Sequence, residues 1–109
     1  MMKLGKFCEI FGATPRSRII EFFLEMRELD FTIGDIARET GLNRATAYNA
    51  VGQLAIESYV VPSRRVSSSQ LYKLNLEKKE VNMLVRTFDE VLRRFVEEYK
   101  QKEKRKIYA

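Results

Sequence analysis

The strongest constraint on the fold is a pair of short helices that the sequence joins through one glycine. The stretch TIGDIARETGLNRATAYNAVGQL begins at Thr32, and the acidic residue three positions later completes the pattern of a capping box. This pattern predicts a helix over about 33–40, and Gly41 directly after it predicts a left-handed stop. Asn43 predicts the N-cap of a second helix, over about 44–57. Two helices joined this tightly must cross and share one core.

One side of the second helix is apolar, and this decides where its other side points. Ala47, Val51 and Leu54 recur at helical spacing and predict the buried side. The opposite side must then face outward. Its residues are Arg44, Ala45, Tyr48, Asn49 and Gly52, with Thr46 and Gln53 at its edges.

Two further helices are predicted before this pair. Residues 4–11 place apolar side chains at helical spacing, with Cys8 as a small core filler. Thr14 and Pro15 predict the cap and first residue of a longer helix, over about 15–28. Its buried stripe is predicted to be Ile19, Ile20, Phe22, Phe23 and Met26, and its water-facing residues Arg16, Arg18, Glu21, Glu25 and Arg27.

A small β-hairpin is predicted after the central pair of helices. Residues 59–61 predict a strand, and Pro62 predicts that this strand lies at a sheet edge or ends in a kink. The polar stretch 64–70 predicts a flexible hairpin tip, and residues 71–74 predict the returning strand. Residues 1–76 are therefore predicted to form one domain of mainly α class with a small β-hairpin (α+β).

The remaining residues, 77–109, are predicted to form a long C-terminal helix that ends in a basic tail. At 1.5 Å per residue, about 27 residues span about 40 Å, whereas a compact domain of the preceding length is only about 30 Å across. The apolar stripe therefore outruns its own domain, and a second copy of the chain is the simplest cover for it. A helix folded back over its own domain is the alternative. The predicted dimer interface is Val81, Leu84, Val85, Phe88, Val91, Leu92, Phe95 and Tyr99.

Composition argues against an enzyme and against a metal protein. The chain has no His, one Cys and five scattered glycines, so His-based catalysis, thiolate metal cages and glycine-rich phosphate loops are excluded. We therefore predict no catalytic residue, no metal site and no cofactor. No stretch has the length of a membrane span or the character of a secretion signal, which favours the cytoplasm.

The net charge is a weak argument for nucleic acid, because most of it lies in the tail. The chain carries +5 overall, and residues 100–109 hold five basic residues against one acidic residue. This tail is either a solvated end or a clamp on DNA. The argument for DNA must therefore come from where the remaining basic residues lie.

At this point the sequence resembles a known group of proteins. The stretch that begins at Thr32 resembles the helix-turn-helix of winged-helix transcription regulators, in the broad bacterial and archaeal group of arsenic-repressor-like and antibiotic-resistance-repressor-like proteins. FGATPRSRIIEFFLE is similar to their first helix, and VVPSRRVSSSQLYKLN to their two-stranded wing. The resemblance covers about residues 5–76 and implies a winged helix-turn-helix fold, to which the apolar stripe described above adds a long C-terminal dimerisation helix.

The resemblance also implies roles for individual residues. The helix over about 44–57 would enter the major groove of duplex DNA, and the wing over about 62–71 would reach the backbone or the minor groove. Arg44 would contact guanine or phosphate, and Asn49 could pair with adenine. The implied DNA-binding residues are Thr32, Asn43, Arg44, Ala45, Thr46, Tyr48, Asn49, Gln53, Arg64, Arg65, Ser67, Ser68 and Lys73.

Some of these residues also have a purely structural interpretation. Tyr48 could lean on the edge of the core, Asn49 could be an ordinary surface residue, and the two wing arginines could serve solubility alone.

Two functions are compatible with this sequence. The first is a homodimeric, sequence-specific regulator that binds double-stranded DNA at a palindrome-like site. The second is a winged-helix module that binds a protein partner within a larger complex, which the low charge of the second helix and the long apolar stripe favour. The sequence marks no pocket for a small-molecule effector.

Overall fold

The computed structural model of the protein describes residues 5–108, with side chains through residue 104. The predicted helix start at Leu4 and the side chains of Arg105 and Lys106 in the basic tail lie outside that description. In chain order the elements are α1 (Lys6–Phe11), α2 (Pro15–Glu25), β1 (Phe31–Thr32), α3 (Ile33–Thr40), α4 (Arg44–Ile56), β2 (Val60–Val66), β3 (Ser69–Leu74) and α5 (Lys79–Tyr108).

The central pair of helices forms as its caps predict. The Thr32 hydroxyl accepts a hydrogen bond from the amide of Asp35 at 3.1 Å, and the Asp35 carboxylate accepts one from the Thr32 amide at 3.2 Å. Gly41 ends α3 in the left-handed conformation, with φ of 74°. The Asn43 side-chain carbonyl then accepts from the amide of Thr46 at 2.8 Å and starts α4.

A single hydrophobic core joins α2, α3, α4, the sheet and the start of α5. Side chains from each of these elements are fully excluded from solvent, which is the main stabilising contribution in a domain of this size. The largest of them are Phe23, Ile19, Leu24, Ile36, Leu54, Val51, Val60 and Val81.

The sheet has three antiparallel strands in the order β1-β3-β2, so β3 is central and β2 lies at an edge. The edge position of Pro62 is confirmed. The sequence did not predict β1, a two-residue strand in which Phe31 pairs with Tyr72. Hereafter the wing means β2, β3 and the turn between them.

The predicted flexible tip over residues 64–70 is wrong. The strands continue to Val66 and resume at Ser69, so the turn is only Ser67 and Ser68. Tight hairpin turns need positive φ, and glycine or asparagine usually supplies it. Here Ser67 takes φ of 55°, so the sequence lacks the residue types that would have indicated a short turn.

Helix α2 differs from its prediction in its length and in which side chains it buries. It ends at Glu25 rather than near residue 28, and Met26 is exposed at the C-cap instead of being part of the buried stripe. Glu21 was predicted to face water, but it is buried because α1 packs over that side of α2. Its carboxylate accepts hydrogen bonds from the amides of Gly5, at 2.7 Å, and Cys8, at 2.8 Å.

The buried carboxylate fixes how α1 sits on the domain. It accepts hydrogen bonds from amides at the start of α1 that have no hydrogen-bond acceptor inside the helix. A side-chain carbon at position 5 would lie 2.3 Å from Glu21 Oε1, so this close approach requires Gly5. Burial, followed by the neighbouring Glu21 carboxylate, raises the pKa of the Cys8 thiol to about 12. The thiol is therefore protonated at neutral pH, as expected of a core filler.

Helix α5 is partly a core element and partly an extension beyond the core. Val81 and Phe88, two predicted dimer-interface residues, are 0% and 7% exposed and lie in the core of their own chain, with Leu84 and Val85 packed against it. The prediction was wrong for Val81 and Phe88. The apolar stripe of α5 is continuous in the sequence, but its first part packs on the core of its own chain and its later part is exposed. No helix within residues 5–108 has the length and hydropathy to cross a membrane.

We expect Glu21→Gln to destabilise the fold by about 1–3 kcal/mol, because an amide group replaces one of two buried acceptor oxygens. Denaturant unfolding followed by circular dichroism would measure this loss. Glu39→Gln is the control, since Glu39 is exposed on α3 and forms no hydrogen bond or ion pair with the described residues. Equal stability of both variants would contradict a capping role for Glu21.

Acid should loosen the attachment of α5 to the turn that follows α2. The Arg27 guanidinium donates two hydrogen bonds to the Asp89 carboxylate, at 2.7 and 3.1 Å, and holds the pKa of Asp89 below its usual value. A lowered folded-state pKa stabilises the fold above the unfolded-state pKa, and this stabilisation is lost as the pH falls through the folded-state value. In urea unfolding between pH 7 and pH 2, Asp89→Asn should therefore show a weaker acid dependence than the wild type. An unchanged pH profile would count against this ion pair.

Candidate nucleic-acid interface

The outward face of α4 is presented as the sequence predicts. Ala47, Val51 and Leu54 are each 0% exposed on the opposite side. Tyr48 is 65% exposed, so it does not lean on the core. Asn49 is exposed one position later. The other outward residues of the prediction, Arg44, Ala45, Gly52 and Gln53, are exposed, and Thr46 is half-buried.

An open cleft of about 770 Å³ lies between α4, the start of α3 and the tip of the wing. It brings together residues that are distant in sequence and were predicted separately. Of the predicted DNA-binding residues, Thr32, Arg44, Tyr48 and Ser68 line it. Ser69, a further small polar residue expected to contact DNA from the wing, lines it too, as does Ile33, which was expected on the buried side of its helix. Gly34, Arg38, Gln70 and Tyr72 line it without a signal in the sequence.

The cleft carries both signs of charge. The Arg38 guanidinium lies 2.8 Å from the Asp35 carboxylate. Hydrogen bonds from Thr32, first from its side chain and then from its backbone, together with Arg38, lower the pKa of Asp35. Arg44 forms no hydrogen bond or ion pair with any residue from 5 to 104, and its guanidinium reaches the α3 N-terminus beside Gly34. One cation in the cleft is therefore free to meet an external anion.

The predicted wing cations are not equivalent in the structure. Arg64 is paired with Asp30, at 2.8 Å from Nε to Oδ2. Arg65 is exposed and makes no hydrogen bond or ion pair with the described side chains. Lys73 does not line the cleft. It lies in a separate depression with Arg27, Val61 and other residues near the end of β3.

Sequence reasoning missed Arg38 and Asp30. Arg38 is a basic residue in the last turn of α3, and its position near α4 becomes visible only when the two helices cross. Its spacing of three residues from Asp35 was the available signal. Asp30 had no such signal, because its partner lies 34 positions away.

A second exposed surface is formed by α1 and α5. Between α1 and α5 there is a small apolar depression to which Phe7, Thr87 and Val91 contribute. Lys6 Nζ lies 4.5 Å from the centre of the Phe95 ring, so the helices stay in contact further along α5. We name as the α1–α5 patch the large apolar side chains that remain exposed there: Ile10, Phe11, Leu92, Phe95, Val96 and Tyr99.

Comparison with known proteins agrees with this geometry. Residues 17–63 match the family of IclR helix-turn-helix domains. This range runs from the first turn of α2 through α3 and α4 into β2. No curated protein sequence is significantly similar to the chain.

Solved structures share the fold at low sequence identity. The homodimeric winged helix-turn-helix DNA-binding domain of Mb0332 from Mycobacterium bovis, described as a possible ArsR-family transcriptional regulator, is 23% identical. That match covers 77% of this chain and 72% of that one, with a TM-score of 0.55. ZitR of Lactococcus lactis is 15% identical over 85% of this chain and 70% of that one, with a TM-score of 0.60.

A third match is a predicted DNA-binding transcriptional regulator from E. coli. It is 18% identical over 77% of this chain and 86% of that one, with a TM-score of 0.55. Together with the family match, these structures confirm the expected fold class. Residues 17–63 are thus similar to helix-turn-helix domains of the IclR type, and the chain has a winged helix-turn-helix fold.

Proposed function

We propose that the chain is a sequence-specific transcription regulator that binds duplex DNA as a homodimer. The helix α4 enters the major groove, and the wing lies on the neighbouring backbone or in the minor groove. The outward face of α4 is the observation that supports this function best. Its polar side chains, among them Arg44, Tyr48 and Asn49, make no hydrogen bond with any other described side chain or backbone group. They are therefore available to an external partner.

The chemistry of this face matches base edges better than it matches phosphates. Asn49 presents an amide that can pair bidentately with adenine, and Arg44 a guanidinium that suits guanine or a phosphate. Ala45 and Thr46 offer methyl groups to a thymine methyl. A second anion position is the start of α3, which lines the cleft with the Arg44 guanidinium beside Gly34. The capping box already pairs the amides of Thr32 and Asp35, so the Thr32 amide is not available to a phosphate.

The α1–α5 patch supports a homodimer. Leaving such side chains in water costs roughly 1.5–3 kcal/mol each relative to burial, so a partner surface is favoured. Two-fold symmetry is the commonest arrangement for two copies of one chain. The similar domain of Mb0332 is itself homodimeric. A two-fold dimer would present two α4 helices to a palindrome-like site with half-sites about one DNA turn apart.

The second candidate function is binding of a protein partner instead of DNA, and the apolar character of α4 favours it. Ile56 at the end of α4 is 85% exposed, and Arg44 is the only formal charge on the outward face of that helix. On this alternative, α4 and the α1–α5 patch would bind other proteins. The purified chain would then be a monomer that forms a stoichiometric complex.

Selection of bound sites from random duplex DNA tests the first candidate. We expect a palindrome-like consensus, and we expect Asn49→Ala to lose about 1–3 kcal/mol of discrimination at one base pair in each half-site. Gln101→Ala, which removes an exposed amide far from α4 in sequence, is the control and should leave the consensus unchanged. Failure of the folded wild type to enrich any site would refute the function. An unchanged consensus for Asn49→Ala would refute only the role of that residue.

The dimer is tested by placing a charge in the α1–α5 patch. We expect Phe95→Glu to raise the dimer dissociation constant at least about tenfold, since a buried unpaired carboxylate is costly. Sedimentation over a concentration series would measure this shift. Met83→Glu is the matched control, because Met83 is 65% exposed on the same helix but outside the patch. A monomeric wild type, or equal behaviour of the two variants, would contradict the proposed interface.

A further inference from the structure

Asp30 makes contacts that its position in the chain does not suggest. It directly precedes β1, at one edge of the sheet, yet its carboxylate binds two residues of β2, the strand at the other edge. Oδ2 accepts from the Ser63 hydroxyl at 2.7 Å and from Arg64 Nε at 2.8 Å, and Oδ1 accepts from Arg64 Nη2 at 3.3 Å. These hydrogen bonds thus link the start of one edge strand to the other edge strand.

These two partners are the residues of an irregularity in β2. Pro62 pairs with Tyr72, but Arg65 pairs with Gln70, so β2 holds one residue more than β3 between these pairs. The extra residue creates a β-bulge. A bulge bends the strand and changes the direction of the side chains beyond it. The bulge divides the wing into an inner half packed on the core and an outer half that carries Arg65 and the turn.

A side chain of β3 also holds the backbone of the bulge. Gln70 Nε2 donates to the carbonyl of Arg64 at 3.0 Å and to the carbonyl of Leu71 at 2.9 Å. The bulge is therefore fixed by one side chain from β3 and by another from the loop before β1. A bulge held by only one of them would keep more freedom to hinge.

We infer that Asp30 is a positioning residue for the wing. Through Ser63 and Arg64 it holds the bulge in one bend and so directs Arg65 and the Ser67–Ser68 turn toward DNA. This inference rests on the proposed function. It assigns Arg64 to the framework of the wing and leaves Arg65 as the wing cation that contacts the phosphate backbone.

The sign of the charge supports this role. A carboxylate beside a DNA-binding surface repels phosphates, so electrostatics alone would favour its absence. The Asp30 side chain is only 21% exposed and its acceptors are engaged by Ser63 and Arg64, with the Arg64 guanidinium the first cause of its lowered pKa. The acid therefore stays ionised and bonded at neutral pH. An exposed ion pair by itself contributes little stability, so the geometry that it imposes is the main effect.

Asp30→Asn distinguishes positioning from electrostatics because the two effects have opposite signs. Electrostatics alone predicts tighter DNA binding, since one repulsive charge is removed. Loss of wing positioning predicts binding about five- to tenfold weaker to a site selected with the wild type. Glu28→Gln is the matched control, because it removes an exposed acid from the same loop that makes no hydrogen bond with the described residues. It should bind as tightly as the wild type or slightly more tightly.

Two further measurements exclude a general loss of structure. Amide hydrogen exchange without DNA should become faster in β2 and β3 around the bulge of Asp30→Asn, and stay unchanged in α4. Arg64→Ala should weaken binding to a similar extent, and the double variant should be no weaker than either single variant, since both remove one contact. Fast exchange in α4 as well would mean that the domain is destabilised as a whole, which would overturn the assignment.

Tighter binding by Asp30→Asn would overturn the inference and would show that Asp30 withholds Arg64 from DNA. Additive effects of Asp30→Asn and Arg64→Ala would overturn it as well. If the wild type binds no DNA, the proposed function fails. Hydrogen exchange then still decides whether Asp30 holds the bulge.

Discussion

The structure depends above all on the burial of one side of α4. Ala47, Val51 and Leu54 are fully buried, and α4 packs on both α2 and α3. Once that side is buried, the opposite side must face solvent. The cleft, the exposed polar face and the placement of the wing beside α4 all follow from this packing, and none of them depends on a strong net charge.

The sequence was most informative where structure is decided locally. Caps at Thr32 and Asn43, the left-handed Gly41 and the edge position of Pro62 each depend on residues a few positions apart, and all are confirmed. The outward face of α4 was predictable for the same reason, since helical periodicity alone separates its two sides.

The errors arise where distant parts of the chain meet. Glu21 has the spacing of a surface residue, and only the docking of α1 makes it a buried cap. Val81 and Phe88 belong to a stripe that periodicity cannot divide between an internal core and an external surface. The ion pair of Arg64 was missed for the same reason, since its partner Asp30 comes from another loop. In each case the contact is made in space, and no local pattern encodes it.

Helix α5 has a geometric consequence for a dimer that forms through the α1–α5 patch. Its 30 residues extend about 45 Å, with the first turns rooted in the core that carries α4. A rotation of α5 therefore moves the whole domain, and α4 with it. If α4 lies about 30 Å from the dimer contact, a tilt of about 10° moves it by about 5 Å. This displacement exceeds the rise of about 3.4 Å from one base pair to the next along a strand. Small changes in the packing of the two α5 helices would thus decide which spacing between DNA half-sites the dimer fits.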